Sequence, residues 1–97
     1  MEDEDRDMMT KVCMRAVEHF GRNQMVKAAE ELSELSAAVL KYWIDPTDEH
    51  FEKVLEEYAD VQIMLTQLDM LIGLDCRVDS TIEVKLLYLR MKMEGKL

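Results

Sequence analysis

On either side of its only proline, Pro46, the chain repeats apolar residues at a helical period. Before it, Ala28, Leu32, Leu35, Val39 and Trp43 recur every three or four positions. After it, Phe51, Val54, Tyr58, Val61, Met64, Leu65, Leu68 and Ile72 do the same. A 3.6-residue helix gathers such positions on one side, whereas a half-buried strand would alternate every second residue. Gly 3 and Pro 1 against 48% apolar residues leave little punctuation for a sheet. The expected fold is therefore all-α. With 97 residues the chain is read as a single domain, 1–97, with a small core.

The same period places a first helix up to Phe20, on Met9, Val12, Cys13, Ala16 and Phe20, after a charged and frayed stretch 1–6. Gly21 ends or kinks it, and Asn23 is expected to cap a second helix from about Gln24 to Trp43. Pro46 disfavours helical geometry at Asp45, and Thr47 or Asp48 caps a third helix reaching Leu71 or Ile72. Gly73 stops it. Asp79 or Ser80 caps a fourth, ending near Met93. That last helix is apolar on two sides: Ile82, Leu86, Leu89 and Met93 on one, Val84, Leu87 and Met91 on the other. Such a helix in a short chain implies a subunit contact. No internal repeat or low-complexity tract is read along the chain.

Composition narrows the partners. A formal net charge of −9 disfavours a nucleic-acid polymer or an anionic membrane surface. It still admits a phosphate ligand when a cation lies between. Cys13 and Cys76 form no CxxC pair and are too few for a disulfide scaffold, so a reducing, cytoplasmic setting is expected. The acidic start MEDEDRDMM is unlike a signal or transit peptide, and no apolar run approaches the roughly 20 residues of a membrane span.

Two carboxylate pairs carry the chemistry. Glu31 with Glu34, and Glu57 with Asp60, are each spaced i,i+3 and so share a helix side. Glu57 lies among Val54, Val61, Met64 and Leu68, and Glu31 borders an apolar side in line with Gln24, Ala38 and Tyr42. A carboxylate in apolar surroundings must be hydrogen-bonded, protonated or bound to a cation. If the second and third helices are antiparallel, the pairs meet near mid-helix. Four converging carboxylates repel one another, and a hard divalent ion with oxygen ligands relieves that repulsion. Glu30 and Glu56 add two more. A solvated acidic face produces the same spacing. Glu34 and Asp60, nearer the polar edge, fit that blander reading better than Glu31 and Glu57 do. A polar pair buried for specificity is a further alternative for the latter two.

The order KAAEELSEL, linker, EEYADVQIML resembles the all-α nucleoside triphosphate pyrophosphohydrolases, the MazG-like superfamily, whose signature is EExxE, a variable linker and ExxD. Glu30, Glu31 and Glu34 match the first half, and Glu57 and Asp60 the second. The likeness extends upstream to HFGRNQMVKAAEE and downstream to IEVKLLYLRMK, and is nearest to small single-domain phage or bacterial versions. It implies an oligomeric four-helix bundle, a homodimer or a tetramer built from dimers, in a bacterial or phage-infected host cytoplasm. It also implies Mg²⁺, or Mn²⁺ in its place, on Glu31, Glu34, Glu57 and Asp60. The implied reaction splits a deoxy or non-canonical nucleoside triphosphate into the monophosphate and pyrophosphate, with Glu34 or Glu30 activating water. Lys85 matches the family's phosphate-holding basic residue, although Ile82, Glu83 and Val84 stand where members often carry an Asn. Lys27, Gln24 and Arg90 are further substrate-binding candidates, and His19 and Phe20 candidates to border a nucleoside. Two alternatives are a phosphoribosyl-ATP pyrophosphohydrolase and a non-enzymatic helical oligomer that binds metal or a protein partner.

Overall fold

A computed structural model of the chain describes residues 1–75 and 77–96. Cys76 therefore lies outside the described residues; Cys13 is a free, buried thiol. Four helical stretches follow in order: α1 Asp3–Phe20, α2 Gln24–Ile44, α3 Asp48–Ile72 and α4 Arg77–Met93. A 3-10 turn, Gly21–Asn23, joins α1 to α2 without a gap. The backbone thus makes three helical runs rather than four: the bent run 3–44, α3, and α4.

This overturns the expected four-helix bundle. The packed faces are α2 against α3 and α1 against α3. α4 contributes no buried residue. The physical reason lies in its sequence. Its apolar residues are spread over two sides, so it has no single stripe to lay into a groove of its own chain. Ile82, Val84, Leu86, Leu87, Leu89 and Met93 all stay exposed. The molecule is accordingly open. Its Cα radius of gyration is 16.4 Å, where a compact domain of this length has roughly 12.5 Å.

The α2–α3 hairpin is the centre of the fold. Its three-residue linker forces antiparallel packing, and three contacts record the register. Tyr42 and Phe51 rings meet at 5.9 Å beside the linker. Glu31 meets Glu57 at mid-helix. Gln24 Nε2 donates to Gln67 Oε1 at 2.7 Å towards the far end. The linker is tightly turned. Asp45, held out of helical geometry before Pro46 (φ -139°, ψ 87°), accepts at its carbonyl from Thr47 N (2.8 Å) and His50 Nδ1 (2.7 Å). His50 thus has a partner where the sequence showed none. Thr47 is the expected N-cap, its side chain accepting from His50 N at 3.1 Å.

The buried row of α2 differs from the expected one. Ala28, Glu31 and Ala38 are buried and Leu35 half-buried, while Leu32, Val39 and Trp43 are exposed. The two alanines let the helix axes approach, and the bulkier row next to them turns outward. On α3 the buried residues are Glu57, Val61, Met64 and Gln67. Cys13 of α1 is 2% exposed, and its thiol donates to the Ile63 carbonyl at 3.7 Å.

Helix ends depart from expectation in three places. α1 begins at Asp3, within the stretch expected to fray, where Asp3, Glu4 and Asp5 complement the helix dipole. Asn23 is itself helical and caps nothing with its side chain. α4 starts at Arg77, two residues before the expected cap, with the Arg77 guanidinium donating to the Gly73 carbonyl. Gly21 (φ 65°) and Gly73 (φ 64°) end α1 and α3, as expected of residues free to adopt positive φ.

Candidate metal centre

The hairpin register brings Glu31 of α2 opposite Glu57 and Asp60 of α3. One oxygen from each of the three lies within 4.8 Å of the others. Glu31 is 7% and Glu57 5% exposed, while Asp60 is open to solvent. Lys27, Glu31, Asp60, Ile63 and Met64 line a small cavity beside them. Of the three carboxylates only Asp60 stands open to solvent, so the set is reached from its side.

Two lysines neutralise part of this charge. Lys27 Nζ lies 3.0 Å from Glu31 Oε1, and Lys53 Nζ lies 2.9 Å from Glu57 Oε1. The hydrogen bond from Lys53 holds the Glu57 carboxyl below the usual glutamate range against the opposing cost of burial. Both lysines are in turn pushed above their ordinary value by the hydrogen bond to, and then the charge of, their glutamates. The other oxygens, Glu31 Oε2 and Glu57 Oε2, are buried and have no hydrogen-bond partner. Buried acceptors of this kind are seldom left unmade in folded proteins.

Glu34 stands outside the close trio and is exposed. It still feels the site: the charge of Glu31 first, then the nearby Glu57 carboxylate, push its carboxyl up. Glu30 points to solvent and pairs loosely with Lys27 at 3.9 Å. Gln24 is tied to Gln67, which serves α2–α3 packing. Lys85 and Arg90 sit on exposed α4, with Arg90 3.9 Å from Glu94. Neither lines the cavity beside the carboxylates. His19 and Phe20 touch each other edge-to-face at 4.6 Å and border, with Val12, Arg15, Ala16 and Glu18, a separate shallow hollow on α1.

Sequence reasoning missed Lys53, and the signal for it was present. Residues 27–34 read KAAEELSE and 53–60 read KVLEEYAD, both K-x-x-E-E-x-x-acid. This short repeat corrects the reading that the chain has none. On antiparallel helices an approximate two-fold axis through the Glu31–Glu57 pair relates Lys27 to Lys53 and Glu34 to Asp60, so Lys27 lies towards Asp60 and Lys53 towards Glu34.

The donor chemistry suits a hard divalent cation. The cluster is all carboxylate, without the Cys or His that zinc favours. Opposed ligands on Ca²⁺ are about 4.8 Å apart and on Mg²⁺ about 4.2 Å. The three oxygens are close enough together to share one such ion. The two orphaned oxygens are the fit test that a merely solvated face would fail. What the fold and site define is an all-α domain carrying a candidate acidic cation site. Comparison with protein-family models, curated proteins and solved structures finds no match. Among the described residues, no helix is long and apolar enough to cross a membrane.

Proposed function

We propose that the chain binds a divalent cation through Glu31, Glu57 and Asp60, with Glu34 joining when the ion is present. The single observation that carries this reading is the pair of buried, unpartnered oxygens on Glu31 and Glu57, two of the three carboxylates that converge. Cation binding alone, the non-enzymatic alternative, is the part that geometry supports most directly.

The fuller proposal adds turnover and rests on the EExxE and ExxD resemblance. A nucleoside triphosphate would be hydrolysed between its α- and β-phosphoryl groups to the monophosphate and pyrophosphate. When bound, Mg²⁺ supplies neutralisation of phosphate charge and a more acidic water. Glu34 is the proton acceptor of choice. It stands beside the buried carboxylates, and its exposure lets water reach it. Glu30, turned outward and paired with Lys27, is the poorer candidate. Lys27, on the cavity wall, is placed to meet a phosphate oxygen.

Lys85 and Arg90 would reach such a substrate only from another copy of the chain. We propose that the working form is a homodimer or a tetramer of dimers. The 11.4 kDa chain exposes 7956 Å², about 2,200 Å² more than a compact monomer of that mass. That excess is of the size a permanent subunit interface removes. Incubating the folded protein with Mg²⁺ and a nucleotide panel that includes phosphoribosyl-ATP, with pyrophosphate as readout, tests the turnover. Release from a nucleoside triphosphate supports it, release from phosphoribosyl-ATP alone reassigns the substrate, and release from none leaves the non-catalytic cation site.

A further inference from the structure

The repeated pattern places a lysine four residues before each buried glutamate. Both ammonium groups bind the same oxygen of their partner, Oε1, and leave Oε2 unpartnered inside. Both lysine side chains are more than half exposed, 51% for Lys27 and 57% for Lys53. Each can swing away from its glutamate into water without crossing the core. Without a cation, these two lysines are the positive charges nearest the two buried carboxylates. With one, each ammonium group would lie a few ångströms from a doubly charged ion, and the like charges repel strongly at that range.

We propose that Lys27 and Lys53 are exchangeable counter-ions of the cation site. Entry of a divalent cation releases them, and the freed ammonium groups hold the anionic oxygens of a polyphosphate ligand that the cation carries. The inference rests on the cation-binding reading above. It gives Lys53 a ligand-holding role and makes it the counterpart of Lys27 across the approximate two-fold axis. Their positions suit that task. Lys27 lines the cavity with Glu31 and Asp60, and Lys53 lines a hollow on the other side with Lys41, His50 and Glu56. A flexible stem ending in a point charge can change partners in a way a rigid guanidinium fork cannot.

Lys53→Met keeps an unbranched side chain one atom shorter and removes its charge. Isothermal titration of wild type and K53M with Mn²⁺ alone reads the exchange. K53M is expected to bind Mn²⁺ more tightly, by about tenfold or more, because the competing charge is gone. In saturating Mn²⁺ it is expected to bind a non-hydrolysable nucleoside triphosphate about tenfold more weakly. Unchanged or weaker Mn²⁺ binding by K53M overturns the exchange. Unchanged triphosphate binding overturns the ligand-holding role. Wild type that takes up no Mn²⁺ removes the cation site itself, an outcome distinct from either. If K53M does not fold, nitrogen-15 NMR of the lysine ammonium groups in wild type decides. Two slowly exchanging signals that become fast on adding Mg²⁺ support the exchange, and signals that do not respond refute it.

Discussion

Adding a divalent cation to the cation-free protein should raise its melting temperature, and Glu57→Gln should cut the rise to a few degrees. Two buried oxygens without partners belong to carboxylates that converge, so an ion that binds there binds the folded state and not the unfolded chain. At a cation concentration one hundred times the dissociation constant, mass action stabilises the fold by about 2.7 kcal/mol. A domain of this size gains roughly 4–8 °C per kcal/mol. The expected rise is therefore about 10–20 °C, well outside the error of a thermal scan. The variant E57Q keeps the shape of the side chain and removes one ligand charge. A hundredfold loss of affinity leaves about 0.4 kcal/mol at the same cation concentration, or roughly 2–3 °C. The assay is circular dichroism at 222 nm, starting in EDTA at fixed protein concentration. KCl of equal ionic strength controls for simple screening of the −9 net charge. Equal shifts in Mg²⁺ and in KCl, or a full shift in E57Q, would refute the reasoning.

Ala38→Leu tests the close approach of α2 and α3: inserting the larger side chain where Ala38 is 4% exposed should cost about 1–3 kcal/mol by urea unfolding, and a neutral result would mean the helices are not in contact there. The stability of the cation-free protein should also depend on pH through two glutamates of opposite sign. Glu34 is raised, so its contribution is complete below the ordinary glutamate value and lost as pH climbs through the raised one. Glu57 is lowered, so its contribution is present above the ordinary value and lost as pH falls through the depressed one. In EDTA, Glu34→Gln should remove the first change and keep the second, and a melting profile identical to wild type would contradict it. Light scattering coupled to size exclusion should return a mass of two or four chains, and replacing Leu86 and Leu89 with Glu should shift it to one. A monomeric wild type would show that the exposed α4 is not a subunit contact.

The residues show why some of this was legible beforehand. Pro46, Thr47, Gly21 and Gly73 act through their own backbone chemistry, so the helix breaks they impose could be read one residue at a time. Glu31 and Glu57 announced themselves because a carboxylate in apolar company needs a partner whatever the tertiary fold. The buried row of α2 was harder. Leu32, Val39 and Trp43 are more apolar than Ala38, and hydrophobicity alone carried the expected row from Ala28 onto them. Closeness of helix axes, which selects alanine, is a property of the pair. α4 was harder still. Its period is helical, but whether its two apolar sides meet this chain or another one is not encoded in the period. Lys53 was overlooked because a lysine beside acids on an exposed turn is ordinary. Its significance appears only when its segment is laid against 27–34.

All the proposed ligands come from 31–60, two neighbouring helices joined by a three-residue linker. The site therefore belongs to the more local of the two helix packings, α2 on α3 rather than α1 on α3, and closing it does not wait for α1. Elements with short sequence separation form early in folding. A cation captured by this hairpin would act on the folding transition state as well as on the finished fold. Refolding should then be faster in Mg²⁺ than in EDTA. An effect confined to the unfolding rate would mean that the carboxylates converge only after the transition state has passed.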